Sequence, residues 1–157
     1  MSWTTPRTWV TGELVTASIM NTHVRDNLGA LQPQSAQVST SETSTSTSYT
    51  NLATSGPAVT LTTGTQALLS ISATGSNNTS NASIYMSYAV SGASTVSASD
   101  STALIISSYT GGIGFSGSAV YLLSGLTAGS NTFTAKYKVS SNTGSWSNRS
   151  LIVEACY

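Results

Sequence analysis

From about residue 58 to the C-terminus, short runs of alternating apolar and hydroxylic residues are separated by clusters of Gly, Asn and Ser. The runs are residues 58–63, 66–73, 82–90, 101–109, 117–123, 131–139 and 150–155. Side chains on a strand point to opposite faces in turn, so a period of two implies one buried and one wet face. In the sixth run Phe133, Ala135, Tyr137 and Val139 share a face, with Thr134, Lys136 and Lys138 opposite. Between the runs lie turn formers such as Gly75-Ser76-Asn77-Asn78, Gly111-Gly112 and Asn142-Thr143-Gly144. Short strands at this spacing predict an all-β, antiparallel sandwich or barrel. With a further run at 46–52 the count reaches about eight, the number of a jelly roll.

Charge is scarce. Only 6% of the 157 residues are Asp, Glu, Lys or Arg, and the formal net charge is zero, against roughly 25% charged residues in a typical soluble domain. Nothing in that balance could neutralise a phosphate backbone, so a nucleic-acid partner is not expected. The apolar runs fall far short of a bilayer span, so neither is a membrane. Ser and Thr, more than a third of the chain, supply the polarity, and Thr suits a pleated, half-exposed surface. A nearly neutral surface offers little repulsion between copies. Cys156 is the sole cysteine, which leaves no intrachain disulfide, and Met1-Ser2-Trp3 does not open a secretory signal.

Three zones follow: residues 1–34 as an extended arm and one short helix, residues 35–45 as a Ser/Thr-rich linker, and residues 46–157 as the sandwich. The first zone holds Trp3, Trp9, His23, Arg7 and Arg25. Its start has no clear period and reads as extended. Thr16 then predicts a helix N-cap, with Val15 and Met20 placed as a hydrophobic staple. Ala17, Met20, Val24, Leu28 and Leu31 draw one apolar stripe, His23 and Asp26 fall on the polar side, and Gly29 and Pro33 mark the end. A helix of about four turns is marginal alone in water. Its stripe needs a partner: the chain's own sandwich, a symmetry mate or another surface.

The stretch Pro6-Arg7-Thr8-Trp9-Val10-Thr11-Gly12-Glu13-Leu14-Val15-Thr16-Ala17, with Asn21 and then Asp26-Asn27-Leu28, resembles a segment that opens many structural proteins of tailed-bacteriophage virions. Residues 125–137, where Gly125-Leu126-Thr127-Ala128-Gly129 leads into an alternating strand, are similar to the last strands of phage fibre and decoration modules. The resemblance implies a non-enzymatic protein at the virion surface, of capsid-decoration, head-fibre or tail-fibre type. It implies an attached N-terminus, an outward β domain and often a homotrimer with a TNF-like jelly roll. Its partners would be other virion proteins, the major capsid protein or a tail protein. The expected docking residues are Trp3, Pro6, Arg7, Trp9, Val15, Met20, Val24, Leu28 and Leu31.

Catalytic patterns are sparse. A Ser nucleophile needs a base and an orienting acid, yet His23 is the sole histidine and lies in the docking segment. Of the carboxylates, Asp100 and Glu154 lie in the expected β domain, with Asp100 read as a strand-entry residue. No cluster suggests a metal, and no cofactor is expected. Gly112-Ile113-Gly114-Phe115-Ser116-Gly117 matches a dinucleotide fingerprint in letters, but strand-like residues follow it, so it reads as a β turn or bulge. Trp146 and Arg149, with Lys136, Lys138 and tyrosines, could contact a host glycan; the better reading puts Trp146 and Tyr137 in the core and Lys136 and Lys138 on the wet face of one strand.

Overall fold

The computed structural model describes residues 3–157. The helical segment has three contiguous pieces: α1 (Ala17–Met20), a π turn (Asn21–Arg25) and α2 (Asp26–Ala30). Nine strands follow: β1 (Gln34–Val38), β2 (Glu42–Ser44), β3 (Ala58–Thr63), β4 (Gln66–Asn77), β5 (Ala82–Gly92), β6 (Leu104–Ser108), β7 (Phe115–Ser124), β8 (Gly129–Val139) and β9 (Gly144–Cys156). They form two antiparallel sheets, ordered β1-β9-β4-β7 with β2 also on β9, and β3-β8-β5-β6. Counting β1 and β2 as one interrupted strand, the orders become 1-8-3-6 and 2-7-4-5, the strand order of a jelly roll.

The alternation expected in residues 131–139 holds: Phe133, Ala135, Tyr137 and Val139 are all buried. Facing them from β4 and β9 are Leu69, Ile71, Trp146, Leu151 and Val153. Trp146 meets Tyr137 edge-on, with ring centroids 5.5 Å apart, a favoured aromatic geometry.

The wet faces explain the Ser/Thr content. Thr60 and Thr132 stand directly opposite across β3 and β8, with hydroxyls 2.8 Å apart. Thr74 with Ser116 (2.7 Å) and Ser83 with Ser107 (2.9 Å) repeat the arrangement. Cross-strand hydroxyl pairs stabilise the ladder much as charge pairs do elsewhere, so these faces do not require ions.

Two expectations fail in the second zone. Residues 35–45 do not form a linker: β1 and β2 pair with β9 through Gln34↔Val153 to Val38↔Arg149 and Glu42↔Trp146 to Ser44↔Gly144. The sandwich therefore begins at Gln34, not at residue 46. Residues 46–52, expected as a strand, run irregularly beside β8. They touch it through the Thr50–Tyr137 bridge and a Val139 N–H bond to the Ser46 carbonyl of 2.8 Å. The edge of β9 presents unpaired backbone groups that even a low-complexity segment can satisfy.

Candidate functional site: an outward apolar helix face

The expected cap forms, as Thr16 Oγ1 accepts the Ile19 N–H at 3.3 Å. What the helix then buries is its polar side. Ile19, Thr22, His23 and Asp26 are half-buried and Asn27 and Ala30 are buried. Val15, Met20, Val24, Leu28 and Leu31 are exposed, Leu28 by 64%. A surface helix of a globular protein normally does the reverse.

Asn27 holds this orientation. Its side-chain amide accepts the Thr4 N–H and donates to the Thr4 carbonyl, both at 2.8 Å, as a strand neighbour would. The same Nδ2 also reaches the His23 carbonyl at 3.3 Å. Trp3 stacks on Tyr157, centroids 4.8 Å apart and planes 9° from parallel, and Tyr157 Oη donates to the Thr62 carbonyl at 2.8 Å. The arm is thus tied to the last residue of the sandwich and to the inner side of the helix. Arg7 pairs with Glu13 and lies 5.1 Å from the centroid of the Trp9 ring. Pro6, Trp9, Val10 and Leu14 are exposed as well, Leu14 by 80%.

Among the expected docking residues, the structure gathers Pro6, Trp9, Val15, Met20, Val24, Leu28 and Leu31 on exposed positions of one segment. Trp3 is spent on Tyr157, and Arg7 on Glu13. Asn27 was missed as a positioning residue. An Asn facing the polar side carries no sequence signal for a partner 23 residues away.

Trp146 and Arg149 do not form a glycan surface, because both are interior, at 1% and 0% exposure. A bulge explains Arg149. Thr74 pairs with Ser147 and Ser72 with Ser150, so β9 fits one extra residue there, and Asn148 takes φ 48°. The extra residue flips the alternation and turns Arg149 inward. Its Nη2 lies 3.1 Å from Glu42 Oε2, and the guanidinium sits 5.4 Å from the Tyr137 ring centroid.

The charged cluster on the opposite sheet is Lys138 with Asp100 at 2.7 Å. Tyr49 Oη donates to Asp100 at 3.0 Å, and the Lys138 ammonium lies 4.6 Å from the Tyr85 ring centroid. The Lys138 hydrogen bond, then that of Tyr49, holds the Asp100 carboxyl below its usual range. Burial pushes the Tyr49 phenol up. Asp100 opens a short 3₁₀ turn before β6, consistent with strand entry. Glu154 is on the outward face of β9 in the other sheet, so these two carboxylates do not converge. The glycine-rich stretch is a turn entering β7, with Gly112 at φ 84°. Among the described residues no group of three or more His, Cys, Asp or Glu gathers, and no helix is long and apolar enough to cross a membrane.

Fold and site together define a jelly-roll β-sandwich that carries an exposed apolar N-terminal segment. No family model matches the chain, and no curated protein matches it. Among solved structures, one of infectious bursal disease virus (Gx strain) is similar at 12% identity and a TM-score of 0.46. The match covers 78% of this chain and 32% of that one, so this chain spans about a third of its length.

Proposed function

We propose that this chain is a structural protein of a tailed-phage virion, a capsid-decoration or head-fibre protein. It docks through residues 3–31 and displays its jelly roll outward, as a homotrimer. The observation that carries this is the inverted helix: polar side clamped inward by Asn27, apolar stripe presented to solvent. The resemblance of residues 6–28 to phage attachment segments points the same way. Burying a Val, Leu or Met side chain fully contributes about 1.5–3 kcal/mol, so a stripe of five can dock firmly without ion pairs. The nearby cations are already occupied, Arg7 by Glu13 and Arg25 by Asp26. Docking should therefore resist salt, since screening acts on charge.

The test is incorporation into particles. Deleting residues 1–31 spares every strand and should leave a folded domain that no longer joins the virion. Val24→Glu with Leu28→Glu should have the same effect in the full chain. Incorporation of either variant at the wild-type level refutes the proposal.

One observation favours a second reading, a tail-fibre module that recognises host glycans. The loop between β6 and β7 exposes Tyr109 by 87% together with Ile113, and the exposed Phe115 opens β7 after it. Binding to host cells that is lost on Tyr109→Ala would support it; Trp146 and Arg149 would not be the contacts.

A further inference from the structure

We propose that the outer face of the β1-β9-β4-β7 sheet, together with the free edge of β7, is the seat of a second copy of this chain. The proposal deepens the reading that copies assemble, by naming where they meet.

The two outer faces of the sandwich differ in chemistry. The β3-β8-β5-β6 sheet turns Lys136, Lys138 and Tyr85 outward, with Asp100 beside them. The other sheet turns out Leu68, Val120, Leu122 and Ile152, exposed by 38%, 62%, 61% and 43%. These four form one patch: Leu68 stands opposite Leu122 across β4 and β7, and Ser70 is flanked by Val120 and Ile152. Around them are Ser and Gln, and Glu154 is the one charged residue that β1, β4, β7 and β9 direct outward.

The edge adds a second requirement. β7 ends its sheet and runs ten residues, Phe115–Ser124, without a charged residue or a proline. Lone domains usually blunt such an edge with Lys, Pro or a bulge. Its unpaired N–H and C=O groups are best satisfied by backbone, and a neutral apolar face by another neutral apolar face. Neighbouring copies of this chain supply both, one against the face and one along the edge, and the chain's zero net charge sets no repulsion against them. The face is of the right order for this. β4, β7 and β9 run ten residues or more and β1 five, so at about 4.8 Å between strands they present roughly 550 Å² of projected face. That is about two thirds of the ~800 Å² per partner of a stable interface, and the β7 edge adds to it.

The full chain is weighed in solution by light scattering after gel filtration. The expected mass is at least twice the 16.1 kDa of one chain, falling to one chain for Leu122→Lys and Val120→Lys. Both side chains are already in solvent, so the thermal melt should still show a folded domain. Leu122→Ser, milder to the strand, should shift the same equilibrium towards monomer. Ile105→Lys, on the opposite sheet, should leave the assembly intact. A wild-type monomer overturns the proposal. So does an oligomer indifferent to changes at Leu122 and Val120, because copies then meet elsewhere. A monomer that still joins particles would overturn this inference and leave virion docking standing.

Discussion

Arg149 is a full positive charge inside a sandwich core, and replacing its partner measures what that arrangement costs. Its side chain has 0% exposure, that of Glu42 has 10%, and the pair spans 3.1 Å between β9 and β2. Glu42 also accepts the Thr54 N–H at 3.0 and 3.2 Å, while Arg149 Nε and Nη1 find no protein acceptor. Glu42→Leu keeps the volume but strands the guanidinium, and removing one partner of a buried pair costs about 3–5 kcal/mol. At roughly 2–4 °C per kcal/mol for a domain of this size, Tm should fall by about 6–20 °C. Arg149→Met should cost less, since Glu42 keeps Thr54 and a path to water. The double replacement, apolar on both sides, should return to within about 1 kcal/mol of wild type, as buried pairs often gain little over apolar isosteres.

The pH dependence follows from the same contact. The Thr54 hydrogen bond, with the Arg149 charge a smaller contribution, holds the Glu42 carboxyl below its usual range. A group depressed on folding stabilises above its unfolded pKa and loses that contribution as pH falls through the folded value. Wild type should therefore lose stability as pH falls below the ordinary Glu value of about 4.3, and the double variant should lose less. Chemical and thermal unfolding by circular dichroism, as a double-mutant cycle, reads both effects. A Glu42→Leu cost under about 1 kcal/mol, typical of a surface pair, would refute the reasoning.

Asn27→Ala removes both bonds that hold Thr4, so the arm should open at a cost of about 1–3 kcal/mol. Amide exchange and proteolysis should rise in residues 3–14 while the sandwich melt stays nearly unchanged. Trp146→Ala should destabilise the whole domain by about 3–5 kcal/mol, seen as a lower denaturant midpoint, with cell binding per folded molecule unchanged. Gly144→Ala should cost about 1–3 kcal/mol by overpacking, read by the same denaturation. Its new Cβ would lie 2.6 Å from both Ile84 Cγ2 and Val139 Cγ1.

Residues 58–63, 66–73, 82–90 and 131–139 were legible as strands because period-two alternation is a local property and each of these strands has one buried face; the structure extends three of them, to Asn77, to Gly92 and back to Gly129. The cap at Thr16 and the apolar stripe were legible for the same reason, since helix periodicity needs no partner to be seen. The sequence alone therefore determined the β class, the helix and the apolar stripe of the N-terminal segment. It could not reveal β1 and β2: Ser/Thr repeats suit a linker or an edge strand equally, and β9's open edge decides between them. It could not place Arg149 either, because one bulged residue near Asn148 inverts every side chain beyond it. Tertiary structure alone decided which way the helix faces. Two bonds from a single Asn to Thr4, and Trp3 on Tyr157, turn the polar side inward and leave the stripe exposed.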